Sequence, residues 1–311
     1  MSETTFWFFF GIIVIILFVI DLYVTDKRTG KIKLKTSLLW SGVWISCALL
    51  FDVLIYFFLK DGQTRSLEFL TGYLLEESLS VDNLFVFLLI FSIMNVSREN
   101  QPHVLKWGII SAIVFRISFI LIGVGLINIF EPMIYIFGAI LIFASYHIVF
   151  GKNEKIDYER NPLVKFARKF MKFDTSYKGR NFFIKHDGKT FATTLFLTLL
   201  LIESSDIIFA ADSIPAVIAI TRDPFIIISS NIFAVLGLRA LYFTLSGVVE
   251  IFAYLKYGIG IILLFVGVKM IISDFVQIST IISLMVIGSI LLLSIIISVI
   301  SVKISSRKQT G

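Results

Sequence analysis

Cysteine occurs once in the 311 residues, at Cys47, and histidine three times, at His103, His147 and His186. A single cysteine excludes a disulfide framework and any CxxC metal or redox motif. Three widely spaced histidines exclude a His-rich zinc or copper cluster. Charge is scarce too: 16% of the residues are charged and 57% are hydrophobic, with a mean hydropathy of +0.93. Soluble domains average about 25% charged and about 45–50% apolar residues, so a soluble globular fold is excluded. There is no GxxxxGK(S/T) phosphate loop and no GxGD motif.

What is present is a series of nine apolar runs, each near the roughly 20 residues that a membrane-spanning helix needs. They cover residues 6–24, 38–59, 69–95, 104–127, 131–150, 191–220, 224–246, 251–273 and 278–302. The first lacks a basic n-region and a small-residue cleavage site, so it is expected to be a retained helix rather than a signal peptide. The predicted fold is all-α, a polytopic membrane protein forming a single transporter domain over residues 1–311.

Lysine and arginine set the orientation. Alternate loops hold 22 of them, including Lys27, Arg28, Lys31, Lys33 and Lys35, whereas the intervening loops hold only Lys60, Arg65 and Arg222. This bias places the N-terminus outside and the C-terminus in the cytoplasm. Loop 151–190 has eleven basic and five acidic residues, an excess of +6 equal to that of the whole chain. The basic balance therefore reports topology, and nucleic acid is not the expected partner. Within that loop Asn161-Pro162, followed by Leu163, Phe166, Ala167, Phe170 and Met171 with Lys165, Arg168, Lys169 and Lys172 between them, predicts a capped amphipathic helix. Such a helix is expected either to lie on the anionic inner leaflet or to serve a regulatory or partner-binding role.

An internal repeat relates residues 69–150 to residues 191–273. Ser80-Val81-Asp82 matches Ser204-Ser205-Asp206 at an offset of 124, Arg116 matches Arg239 at 123, and Gly138 matches Gly260 at 122. The matched helices are three spans apart, an odd number, so the halves cross the membrane in opposite senses. A 3+3 inverted repeat is a common transporter core, with its substrate site near the midplane.

Polar residues inside the runs carry the chemistry. A charge at a helix centre costs on the order of 2.5–3.5 kcal/mol on insertion scales, so such residues face a bundle interior, pair with one another or line a path. The third run holds Glu76, Glu77, Ser80, Asp82 and Asn83, and the sixth holds Glu203, Asp206, Asp212 and Ser213. Glu76, Ser80 and Asn83 share one helical stripe, and Glu203 and Asp206 are i, i+3 neighbours. Asp212 falls on the far side of an ideal helix from Glu203, and a kink or break at Pro215 is expected to swing it inward and offer backbone oxygens to a cation. Against these six acids stand Arg116, Arg239 and, if it reaches the same region, Lys269. The surplus of negative charge calls for a bound cation or for protons. Oxygen ligands suit hard ions such as Mn²⁺, Ca²⁺ and Mg²⁺. Asn231 in the seventh run is either a ligand or an interhelical hydrogen-bonding residue. Asp21 and Asp52 are expected at the interfaces.

The segment from Glu76 to Phe87 (EESLSVDNLFVF), the segment from Ile202 to Ala216 (IESSDIIFAADSIPA) and the segment from Ser230 to Leu241 (SNIFAVLGLRAL) resemble signatures of the TerC (Alx-type) integral membrane proteins. That family belongs with the LysE-like transporters, and its members are linked to manganese export and tellurium resistance. The resemblance implies a manganese exporter of the cell (inner) membrane, with Mn²⁺ as transported substrate and no organic cofactor. It carries over Glu76, Asp82, Asn83, Glu203, Asp206, Asp212 and Ser213 as metal-site residues, with Glu77, Arg116, Asn231, Arg239 and Lys269 in support.

Expelling a dication against the membrane potential costs about twice 2.3 kcal/mol per 100 mV. Exchange for two protons on the carboxylates would be electroneutral. Other readings are a Ca²⁺ or other cation exporter, an amino-acid exporter of the LysE type, a membrane scaffold, and an intramembrane aspartyl protease using Asp82 and Asp206. Asp82→Asn is expected to abolish transport; a correctly inserted Asp82→Asn protein that still lowers cellular Mn²⁺ like wild type rules out the carboxylate mechanism.

Overall fold

The computed structural model describes residues 3–26, 34–130, 132–150, 162–174, 179–186, 188–248, 255–276 and 278–309. For 3, 22–26, 34, 81, 82, 85, 128, 162, 163, 186, 212, 247, 248, 255, 256 and 302–309 it describes the backbone alone. The long helices are α1 (Glu3–Asp26), α2 (Leu34–Phe58), α3 (Gly62–Ile93), α4 (Gln101–Ile129), α5 (Met133–Phe150), α7 (Thr194–Ile218), α8 (Pro224–Val248), α9 (Leu255–Ile271) and α10 (Thr280–Gln309). Each falls on one of the nine apolar runs. Seven are long and apolar enough to cross a membrane. The other two are α3, whose apolar run is interrupted by its acids, and α9, whose apolar stretch among the described residues is Tyr257–Ile271. The protein is an all-α polytopic membrane protein.

Every backbone donor in hydrocarbon must be satisfied within the chain, and apolar side chains impose no penalty on the outside. The outward-facing residues fit that solvent: Phe143 is 71% exposed, Leu292 61% and Leu50 65%. The centre of the molecule is α8, with 94% of its apolar span buried, against 17% for α1 and for α10. Helices α1, α2, α3 and α4 pack around α8. The contact with α1 and α2 is largely aromatic: Phe51 meets Phe233 at 4.8 Å and Trp7 meets Phe225 edge-on at 4.8 Å between ring centres.

Helices α5 and α9 make the most extensive pairing, and glycine is the reason. A Cβ on Gly267 would lie 2.8 Å from the Gly138 carbonyl oxygen, and one on Gly138 would lie 3.0 Å from the Gly267 carbonyl oxygen. Backbones this close leave no room for a side chain, as in other small-residue membrane interfaces. The contacts are reciprocal. Gly138 faces Gly267, Met270 and Ile271, while Gly260 faces Ser145, Ile148 and Val149, which is the same set displaced by 122 residues. Elsewhere α3 packs on α8 and α4 on α7.

The basic segment between α5 and α7 holds more than the expected helix. Helix α6 (Pro162–Phe170) is present, but its burial divides the apolar face: Val164 and Ala167 are buried, while Phe166 and Phe170 are 62% and 72% exposed. The expected cap, Asn161, lies outside the described residues. A small sheet follows, built from β1 (Lys172–Asp174), β2 (Phe183–His186) and β3 (Lys189–Thr193), with β3 central, parallel to β1 and antiparallel to β2. Gly188 adopts φ +71° at the β2–β3 turn, a conformation that glycine takes without strain. Strand β3 then passes directly into α7.

Gly267→Ala is expected to push α5 and α9 apart at a cost of about 1–3 kcal/mol, read as a lowered thermal unfolding midpoint in detergent. Gly125→Ala, where an added Cβ meets nothing within 4 Å, serves as the neutral comparison.

Candidate functional site

Four helices converge on one arginine. Arg116 of α4 forks onto Asp206 of α7, with Nη2 donating to Oδ1 at 3.0 Å and Nε to Oδ2 at 3.4 Å. Its Nη1 donates to Oε1 of Glu76 on α3 and to Oδ1 of Asn231 on α8 at 3.0 Å. Asn231 closes the circuit, its Nδ2 donating to Glu76 Oε2 at 2.9 Å. All four side chains are buried, with Glu76 at 0%, Arg116 and Asn231 at 1% and Asp206 at 5% exposure. A planar guanidinium suits this place, since it can satisfy two carboxylates from one charge with directed hydrogen bonds. The two-acid, one-arginine arrangement carries a formal −1.

One turn along α7 toward its start stands Glu203, buried at 7% exposure. Neither of its carboxylate oxygens accepts a hydrogen bond among the described residues. The Ser111 hydroxyl is its polar neighbour and lies 2.8 Å from the Trp107 carbonyl and 3.2 Å from the Gly108 carbonyl. Gly108 of α4 lies beside it, so that a side chain there would begin 3.5 Å from Oε1. The stripe expected on α3 is also buried: Ser80 at 0% and Asn83 at 2%, in line with Glu76. The hydroxyls of Ser80 and Ser213 and Oε2 of Glu77 are buried without a hydrogen-bond partner.

Several expected members stand elsewhere. Arg239 of α8 pairs with Asp21 of α1, Nη1 to Oδ2 at 2.6 Å, and reaches the Pro102 carbonyl at 3.5 Å. Asp21, expected at an interface, is buried at 6% exposure and latches α1 to the core. Lys269 of α9 donates to Ser283 of α10 at 2.9 Å, with Glu68 as its acidic neighbour, apart from the Arg116 cluster. Helix α7 runs unbroken from Thr194 to Ile218 through Pro215, so the expected break is absent. The proline sits in the last turn, and the Ala219 amide still bonds its carbonyl at 3.0 Å. The side chains of Asp82 and Asp212 lie outside the described residues. Among the described residues no three His, Cys, Asp or Glu side chains gather as a metal cluster.

A cavity of about 500 Å³ opens at the α3–α4 turn and the far end of α8, lined by Ser92, Asn95, Arg98, Gln101, Tyr242 and Ser246 among others. Tyr242 on its wall donates to Gln101 Oε1 at 2.9 Å. Sequence reading passed over this cavity, whose polar lining comes from turn residues of ordinary composition.

Membrane-spanning helices with a buried multi-helix ion-pair cluster define a polytopic integral membrane protein. Comparison with known proteins gives the family. The profile of the integral membrane protein TerC family matches residues 61–309. The chain is 42% identical over 299 residues to a candidate membrane-bound redox modulator named Alx from Salmonella typhi, covering 94% of this chain and 93% of that protein. It is 43% identical over 294 residues to the membrane protein STKORF319 of Myxococcus xanthus, covering 94% and 92%. A membrane protein of Rickettsia bellii is 40% identical over 302 residues, covering 97% and 99%. No solved structure matches the chain significantly. The chain belongs to the TerC family.

Arg239→Ala removes the guanidinium from buried Asp21 and is expected to cost about 3–5 kcal/mol, the usual penalty for breaking one side of a buried pair. The double variant Arg239→Met/Asp21→Leu is expected to recover most of that loss in the same thermal unfolding measurement.

Proposed function

We propose that the protein exports a divalent cation, foremost Mn²⁺, across the cell membrane by exchange for protons. The observation that carries this reading is the convergence of Glu76, Asp206 and Asn231 from three helices deep in the bundle, with Glu203 unpaired beside them. Glu76, Glu203, Asp206 and Arg116 together carry a formal −2. So large a charge is not stable dry in hydrocarbon, and either one dication or two protons neutralises it. The oxygen-only donor set favours a hard ion, and the likeness to TerC signatures selects manganese among them.

The reciprocal glycine contacts of α5 and α9 are those that a two-fold exchange of the halves gives, and they support a 3+3 inverted repeat. The arginine and lysine bias supports an outside N-terminus and a cytoplasmic C-terminus, which makes the 500 Å³ cavity an inner vestibule. Relatives from Salmonella typhi and Escherichia coli, among others, carry a name that refers to redox modulation. With one cysteine in the chain, dithiol exchange on its own residues is excluded, and supply or removal of a redox-active metal accommodates that name.

A second reading is favoured by Arg116 itself: a bridge joining four helices fastens them, whatever else it does. A protein in which fastening is the whole role binds no metal. In everted vesicles with an imposed proton gradient, Mn²⁺ accumulation is expected for wild type and a loss of at least tenfold for Asp206→Asn at equal membrane abundance. Ca²⁺ and Mg²⁺ in the same assay rank the substrates. Mn²⁺ movement with no opposing proton flux eliminates exchange.

A further inference from the structure

Arg116 stands where a cation held by Glu76, Asp206 and Asn231 would have to sit. Its Nη1 faces one Glu76 oxygen and the Asn231 carbonyl oxygen, and its Nη2 and Nε face both Asp206 oxygens. A dication drawn to the point where these oxygens converge competes with the guanidinium for their lone pairs and is repelled by its charge, so binding there favours displacement of the arginine head. The departing head needs a buried acceptor within reach, because a lone cation in this interior is as costly as a lone carboxylate.

A buried carboxylate stands one helical turn from Asp206. Glu203 lies three residues before Asp206 on α7, about 4.5 Å along the axis at the usual rise, and is buried with both oxygens free of hydrogen bonds. Gly108, two turns before Arg116 on α4, presents no side chain to Glu203 Oε1, which lies 3.5 Å from where a Cβ would stand.

We propose that Arg116 is a tethered counter-ion that occupies the cation site of the empty protein, and that Glu203 receives its guanidinium when a divalent ion takes its place. This rests on the export reading above and adds a device to it. The empty site keeps a positive charge, and the loaded site keeps every carboxylate paired. Arg116 and the cargo compete, and Glu203 acts as a positioning residue through the arginine rather than as a metal ligand.

The test is Mn²⁺ binding to purified protein in detergent, read by the loss of the free-ion paramagnetic resonance signal, on a four-member cycle. Arg116→Gln is expected to bind at least tenfold more tightly than wild type, since the internal competitor is gone. Its ion-free form is expected to melt lower, with saturating Mn²⁺ restoring it beyond wild type. Glu203→Gln is expected to weaken binding in wild type and leave it unchanged in the Arg116→Gln background. Equal or weaker binding by Arg116→Gln overturns the proposal, as does an equal loss from Glu203→Gln in both backgrounds, which makes Glu203 a direct ligand. If Arg116→Gln does not fold, Arg116→Lys substitutes for it. Lysine cannot fork, so tighter binding by a smaller factor is expected, and equal or weaker binding is overturning. Absence of Mn²⁺, Ca²⁺ and Mg²⁺ binding in every form, wild type included, sinks the export reading itself; binding by wild type alone sinks only the counter-ion.

Discussion

A carboxylate inside hydrocarbon must meet an opposite charge, and the bridge from Arg116 to Glu76 and Asp206 is where this chain meets that demand most fully. Four helices of different sequence position are committed by it to one point. The central burial of α8 follows in part, because Asn231 completes the same hydrogen-bond circuit. So does the separation of solvents: polar chemistry is gathered inside, and isoleucine, leucine and phenylalanine are left to face lipid. A bundle without a hydrophobic driving force between its helices relies on such directed contacts and on close backbone approach, and both are present.

The two intramembrane arginines do different work. Arg116 is surrounded by groups with the chemistry of ion ligands, whereas Arg239 secures a peripheral helix through Asp21. In the proposed repeat these arginines occupy matching positions, and Asn231 corresponds to Gly108. Asn231 supplies an amide that closes the circuit, and Gly108 presents no side chain to Glu203. On that proposal the halves differ in side chain at these positions, and among the described residues one buried cluster joins α3, α4, α7 and α8.

Much of this was legible in the sequence, because hydrocarbon imposes simple rules. Among the described residues each long helix falls on an apolar run, with ends that differ by up to seven residues at α3 and α10, since length and apolarity are what the solvent demands. Glu76, Arg116, Asp206 and Asn231 were each singled out in the sequence as polar residues of apolar runs, but that these four would meet was not specified, and Asn231 was left as either a ligand or an interhelical hydrogen-bonding residue. Which arginine met which acid was not legible: Arg239 and Lys269 found Asp21 and Ser283, partners fixed by helix packing rather than by spacing. Nor was the straight path of α7 through Pro215, where the proline lies too near the helix end to break it. The small sheet left a readable trace in Asp187-Gly188 between alternating residues, a hairpin signal overlooked in a segment dominated by its charge.

The passage from β3 to α7 without an intervening residue has a mechanical consequence. Strand β3 is clamped between β1 and β2, so α7 cannot spin about its own axis without shearing both ladders. The helix that bears Glu203 and Asp206 is therefore geared to a rigid plate at its leading end. Any rearrangement that re-aims those carboxylates carries the plate along as one body or arises from movement of the surrounding helices.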